Sequence, residues 1–577
     1  MDTQDVIAPS VDIADTPPVT SPAPGLASAA LAASLLAACG GGGDGGSGSP
    51  PPAGGTPPTP TPTPAPSPPP AAITDPDAAR FLMQAALAVT DADLAQVKAA
   101  GYSGWLDAQF ALPRNQGHWD WMIARGYQND PNNANGFQGT DNTLWRKLIS
   151  APDTLRQRMV LALSEIFVVS MTGLPVPWRG FCMAAYVDTL EEYAFGNYRG
   201  LLEAVTLSTG MGNYLNMRGN QKEDAKGRVP DENYAREVLQ LFSLGLYQLN
   251  NDGTVKTGAD GKPLDTYAQA DISGLARVFT GWDYTAYDKT KPDFQRRPMS
   301  LVASRHSTLD KTFLGVTIPG STPGVDALKI ALDTIANHPN VGPFIGRQLI
   351  QRLVTSNPSA AYVGRVATAF NNTNGIRGDL KATLRAVLLD PEARSAPAAQ
   401  PASWGKLREP VLRFVQWART AAVKSPTDLW NIGDTSSAST RLGQSPLRSP
   451  SVFNFFRPGY VPPNTSLGTT GLVAPEFQIT NESTVVAYLN YMQTVIQNGV
   501  GEVKPDYSGW LTLANDAAAL VARCNLLLAA GQLSSSTQNT ITNAVNAITA
   551  SSDAARLNRI QAALLLTMAS PEYLIAK

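Results

Sequence analysis

From Asp75 onward, apolar residues return every three or four positions, and this spacing constrains the fold more than any other feature of the chain. Leu155, Met159, Leu163, Ile166 and Phe167 show it best, with Arg156, Arg158 and Glu165 between them, and they predict a helix over 154–171. The same period predicts helices from Asp75, from Asp91 to about Gly101, and over 183–193, 199–207, 265–279, 324–336, 341–354, 359–370 and 379–389. Three more are expected over 514–530, 536–550 and 554–568, followed by a short one opened by Ser570-Pro571. The turn dipeptides Asp252-Gly253 and Asp260-Gly261 predict one small hairpin near 246–266. The fold class expected is therefore mainly α: a large multi-helical globular body with at most one small β-hairpin, preceded by a disordered Gly/Pro-rich tether.

The stretch PDENYAREVLQLFSLGLYQLN, residues 230–250, carries the densest set of polar groups on one amphipathic helix. At 100° per residue Glu232, Asn233, Arg236, Glu237 and Gln240 share a polar arc, opposite Tyr234, Val238, Leu241 and Phe242. Part of that arc is ordinary helix chemistry. Asp231 is placed to cap, Glu232 favours the positive helix end, and Glu232 with Arg236 forms an i,i+4 pair. Two segments resist helix assignment, 288–320 and 433–475, the second holding SPSVFNFFRPGYVPP. Long irregular segments inside a compact body tend to serve function, so both are expected as walls of a cleft.

The N-terminal part reads differently. Arg80 is the first basic residue, and GLASAALAASLLAAC, residues 25–39, is too short for a membrane span but has the form of a signal-peptide core. Leu36-Ala37-Ala38-Cys39 has the form of a bacterial lipobox, which makes Cys39 the expected lipidation site. Against that reading, Asp2, Asp5, Asp12 and Asp15 stand where a signal peptide is positive. Behind Cys39, a Gly/Ser run and a Pro/Thr/Ser tract to Pro70 lack the apolar area needed to fold alone. The organisation expected is a signal-peptide-like segment over 1–38, a disordered linker over 39–75, and a helical body over 76–577, built as one core or two sub-cores. The location expected is the bacterial cell envelope, exported and lipid-anchored.

With 45 Lys and Arg against 47 Asp and Glu, interspersed, bulk charge does not steer the protein to nucleic acid. Only Cys182 and Cys524 follow Cys39, too few for a thiolate metal cluster or a disulfide framework, and two buried free thiols are expected. No HExxH, C-x-x-C, Gly-rich phosphate loop or G-x-S-x-G elbow is present, and no metal or cofactor is assigned.

An ordered series of motifs spans the body: ARFLMQAALAVTDADL, LRQRMVLALSEIFVVS, PDENYAREVLQLFSLGLY, DISGLARVFTGW, HSTLDKTFLG, HPNVGPFIGRQLIQRLVTSNPS, LDPEAR, GKLREPV and SPSVFNFFRPGY. Together they resemble the DUF1800 family from Ala78 to about Ile479. The resemblance implies a mostly helical, exported bacterial protein, and a partner from a second exported family, DUF1501. It carries no catalytic residues over to this chain. Ser307 stands where some members have an acidic residue after the histidine, which weakens a metal role for that segment.

The leading functional expectation is an envelope-anchored protein that binds, or helps process, an exported partner or an envelope polymer. The binding residues expected are Asn233, Arg236, Trp282, Lys311 and His338. Trp282 offers a surface for stacking on a sugar or anchors a loop, and His338 sits where an imidazole favours helix C-terminal carbonyls. His118 is expected to pack beside Trp119 and Trp121. An alternative is a polysaccharide hydrolase with Glu232 or Glu237, Asp271 and His306 in acid-base roles. A purely structural scaffold is the third reading.

Overall fold

The computed structural model describes residues 72–577. The signal-peptide-like segment, Cys39 and nearly all of the linker lie outside the described residues. The body is helical as expected, with 22 α-helices among the described residues. None of these helices is long and apolar enough to cross a membrane.

Most of the expected helices form close to where periodicity puts them, and the differences have local causes. The first, Asp75–Ala85, is capped one residue earlier than expected, by the Thr74 hydroxyl accepting from the Asp77 amide. The helix from Asp91 ends at Gly101 as expected, where φ 72° and ψ 170° are not helical, and a second helical stretch follows at once to Ala111. The polar helix is only Asn233–Gln240, because Gly245 takes φ 76° and the amides of Leu244 and Gly245 both turn back onto the Leu239 carbonyl. Seven α-helices were not expected: His118–Ala124, Thr140–Ser150, Thr209–Tyr214, Pro391–Arg394, Pro410–Thr420, Ser466–Thr469 and Glu482–Asn498.

The β-structure departs from the single hairpin expected. Among the described residues three two-stranded antiparallel sheets form, pairing Trp282–Asp283 with Ser300–Leu301, Lys311–Phe313 with Val316–Ile318, and Lys406–Leu407 with Ile575–Ala576. Residues 246–266 instead make isolated bridges, Tyr247 to Asp265, Leu249 to Val255 and Thr257 to Pro263. Buried Asn340 pins this ribbon, donating to the Leu244 and Tyr247 carbonyls at 3.0 and 2.8 Å and accepting from the Leu249 amide at 3.0 Å.

Apolar packing divides into clusters. The largest joins the Asp75–Ala85 and Thr154–Ile166 helices to most of the chain up to residue 393. A second gathers the Pro410–Thr420, Glu482–Asn498, Ala517–Ala529 and Asp553–Ala569 helices around Trp145, Phe414, Trp417 and Tyr573. A small third one holds Trp119, Trp121, Trp178, Phe181 and Phe294. Cys182 lies in the first, Cys524 in the second, and both are buried free thiols as expected.

Segment 288–320, expected as a cleft wall, is spent on packing. Its Lys311–Phe313 strand lies flat on the Gln269–Val278 helix, where a Cβ at Gly274 would meet the Thr312 carbonyl oxygen at 1.8 Å. Ala is favoured over Gly inside a helix by about 1 kcal/mol. Backbone cannot yield as a flexible side chain does, so Gly274→Ala is expected to lose stability, by about 1–3 kcal/mol net, in urea unfolding. An unchanged or raised midpoint would show that this contact is looser than described.

Candidate functional site

The residues expected to act are tied to the structure individually. Glu232 accepts at one carboxyl oxygen from Arg236 Nη2 at 3.2 Å and Gln269 Nε2 at 2.7 Å, and at the other from the Ser273 hydroxyl at 2.5 Å. It thus fastens the polar helix to Gln269–Val278. Asp271 accepts from the Ala268 amide and from the Leu314 amide, both at 2.7 Å, capping its own helix while holding the next strand turn. Trp282 is 3% exposed and donates to the Val278 carbonyl at 3.3 Å, so its ring is core and not a surface for stacking. The Asn233 side chain has no hydrogen-bond partner among the described residues, and its amide donates to Asp231 Oδ1 at 2.8 Å.

The three histidines are likewise occupied. His338 accepts from the Asn340 amide at 3.2 Å, while Arg377 caps the preceding helix by donating to the Ala336 and His338 carbonyls. The capping expected of the imidazole is therefore done by a guanidinium. His118 is buried with Nδ1 3.2 Å from the Thr143 hydroxyl, and burial, aided by Lys147 and Arg146, depresses its pKa well below the ordinary range. His306 holds Nδ1 2.8 Å from the Thr280 carbonyl, which makes Nδ1 the donor and leaves Nε2 bare and buried. Burial lowers its pKa, too. Beside it Lys311, fully buried, donates to the Ser307 and Leu309 carbonyls at 2.9 and 3.1 Å, and Ser307 donates to Glu223 at 2.8 Å. His306, Ser307, Lys311 and Glu223 form one internal knot that closes a turn.

Glu237 is the exception. It is 9% exposed, its Oε2 has no partner among the described residues, and burial raises its pKa against the opposing charge of Arg236. The Tyr267 hydroxyl nearby is also buried without a partner. Glu237 is thus neither spent on a buried arginine nor placed with Asp271 and His306 around an opening.

A cleft of about 680 Å³ lies elsewhere, within the range of ligand sites. Its walls are mostly apolar: Trp404, Leu407, Leu467, Val473, Phe477 and Ile575. Segment 433–475 contributes to it, as expected of an irregular stretch, through Leu467, Val473 and Ala474. Asn357 clamps the Val473 backbone from both sides, at 2.9 and 3.0 Å, so the wall is fixed. Lys406 forms part of the floor.

Behind Lys406 lies a set of buried charges. Its ammonium donates to Glu476 Oε1 at 2.9 Å and to the Arg352 carbonyl at 2.8 Å, and stands 3.7 Å from Glu409. Arg352 Nε is 3.5 Å from Glu165, and its Nη2 donates to the Glu165 carbonyl at 2.9 Å. Arg158 donates to the Arg352 carbonyl at 2.9 Å, and Gln444 to Glu409 at 2.9 Å. Burial, then Glu409, pushes Glu165 well above the ordinary carboxylate range. Burial would do the same to Glu409, but Lys406, Glu165, Arg158 and Gln444 together bring it below its ordinary value.

All of these charges except Glu476 sit inside the motifs LRQRMVLALSEIF, GRQLIQRLV and GKLREPV, yet none was given a site role from the sequence. A signal was available. Arg158 and Glu165 are seven residues apart, on one face of the helix, and charge on a helix face turned to the interior must be paired there. Replacing Lys406 by Met strands Glu476 and Glu409, at an expected cost of about 3–5 kcal/mol in unfolding free energy. Lys406→Met with Glu476→Leu is expected to recover a good part of that loss, and a double variant no better than the single one would argue against this pairing.

No curated protein and no solved structure matches the chain. The family model described as "Protein of unknown function (DUF1800)" matches residues 80–575, which takes in the polar helix, most of the cleft walls and every charge of the buried set. The chain belongs to the DUF1800 family.

Proposed function

We propose that this is an envelope-anchored binding protein whose cleft takes an uncharged, apolar segment of an exported partner protein. The observation that carries the reading is the state of the cleft's charges. Arg80 is engaged by Asp77 at 3.1 Å and by the Arg394 carbonyl at 3.0 Å, and Lys406 by Glu476. Glu572 accepts from the Thr537 and Ser534 hydroxyls at 2.6 and 3.0 Å. Lys577 is the remaining charged residue on the lining. The charges not already held in ion pairs are Lys577 and Glu572 near the chain end, whereas an apolar group on the Trp404, Leu407, Leu467, Val473 and Phe477 wall gains about 25 cal/mol per Å² buried.

Anchoring at Cys39 and export rest on the Leu36–Cys39 lipobox and on the long Gly- and Pro-rich stretch behind it. The partner proposed is a DUF1501-like exported protein. Acid-base hydrolysis finds less support, since Glu232 and Asp271 are engaged in helix-to-helix and helix-to-strand hydrogen bonds.

A photo-crosslinking residue placed at Val473 in cells is expected to capture one exported protein. The same residue at exposed Lys262, away from the cleft, should not. Val473→Trp, which fills the cleft, should abolish capture by a crosslinker at Leu467 while circular dichroism stays unchanged. Equal capture from positions 473 and 262 overturns the binding reading. Cys39→Ala is expected to move the protein out of the membrane fraction, and an unchanged distribution would remove the anchor.

A further inference from the structure

We propose that a small cavity behind the cleft floor, lined by Arg80, Arg158, Lys406, Arg408 and Gln532, binds one small monovalent anion of halide size. This site is independent of what the cleft itself takes.

The cavity has a volume of about 40 Å³. Its charged side chains are all cationic: Arg80, Arg158, Lys406, Arg408 and Lys577 line it, and among the described residues no Asp or Glu does. Four buried N–H donors of that lining have no hydrogen-bond partner among the described residues, the Nε of Arg80, of Arg158 and of Arg408, and the Nε2 of Gln532. The three arginines are 4, 3 and 7% exposed, so bulk water does not complete their bonding. A buried donor left without an acceptor destabilises the fold, and a charged one does so more.

The remaining nitrogens of these side chains show how uneven the charge is. Arg80 is held by Asp77 at 3.1 Å and by the Arg394 carbonyl at 3.0 Å, and Arg158 by the Arg352 carbonyl at 2.9 Å. Arg408 has neutral company: Gln416 Oε1 at 3.1 Å, Met83 Sδ at 3.3 Å, and the Tyr573 ring, whose centroid is 4.8 Å from the guanidinium carbon. Burial lowers its pKa, yet an arginine keeps its proton at neutral pH and cannot escape the cost by discharging. The wider set is unbalanced in the same sense. Arg158, Arg352, Lys406, Arg408 and Arg413 are buried beside Glu165, Glu409 and Glu476, five cations to three carboxyls, and burial pushes Glu165 towards its neutral form.

A water in this cavity accepts from two donors and brings no charge. An anion accepts from several donors at once and supplies the negative charge that the side chains lack. About 10–15 Å³ suffices for one water, so the cavity has space for a small anion and part of its hydration. Arg80, Lys406, Gln532 and Lys577 line both the cavity and the cleft, which puts the entrance for the ion in the cleft floor.

The test is thermal unfolding of the full chain, followed by circular dichroism, in sodium chloride and in sodium gluconate at matched ionic strength. General screening is then equal, and only the smaller anion fits the cavity. The wild-type midpoint is expected to rise by about 2 °C in chloride and to level off as chloride increases, as binding to the native state alone requires. Bromide should act in the same way. Gln532→Glu places a carboxylate at the cavity, and it should abolish the rise while unfolding in gluconate no earlier than the wild type. Arg408→Gln removes the cation that lacks an acidic partner and should also lose the rise, which keeps the test open if the first variant folds poorly. Wild-type midpoints that agree in the two salts, or a rise that never levels off, overturn the site. A full rise kept by either folded variant places the ion elsewhere and overturns it too.

Discussion

Lys406 places an almost fully buried cation beneath the cleft, and the packing around it depends on the groups that make that tolerable. Its partners come from separate parts of the chain: the carbonyl of Arg352, the carboxylate of Glu476 and, further off, Glu409. Apolar surface alone would let these segments slide, because hydrophobic burial has no direction. A buried charge set has one favourable arrangement and many costly ones. It therefore fixes how the Thr154–Ile166 and Val341–Leu353 helices meet the 406–409 strand and the Pro475–Ile479 turn, and in doing so fixes the floor and one wall of the cleft.

A second buried pair repeats the device. Lys147 donates to Glu191 at 2.6 Å, with Gln157 on the same carboxylate and Asp153 close by. Here too the partners come from different helices, and His118 lies in the positive field of Lys147 and Arg146, which helps to keep its imidazole neutral. Both sets show charge used for register more than for net stability, since an apolar replacement of equal shape would cost the fold little.

How much of this was legible in the sequence varied with the range of the interaction. Periodicity found the Thr154–Ile166 helix because Leu155, Met159 and Leu163 bury one continuous surface, a local property of the chain. The polar arc of Glu232, Arg236 and Glu237 was equally visible, but not what it meets. Glu232 is satisfied by Gln269 and Ser273, and Asp271 by Leu314, partners 37, 41 and 43 residues away that only the fold supplies. Trp282 could be read as a surface ring or a core ring until its burial was known. The cleft was hidden for the same reason. Pro76, Val473 and Ile575 line one opening, and no spacing rule connects them.

The pairing of Lys406–Leu407 with Ile575–Ala576 gives the cleft a place in time as well as in space. Ile575 lines the opening and Leu407 stands across the ladder from it, so the site is not closed until the distal strand has arrived. Contacts of such long sequence separation form late in folding, after local helices are in place. Until the 575–576 strand has paired with 406–407, the local helices can stand while one side of the cleft is still missing.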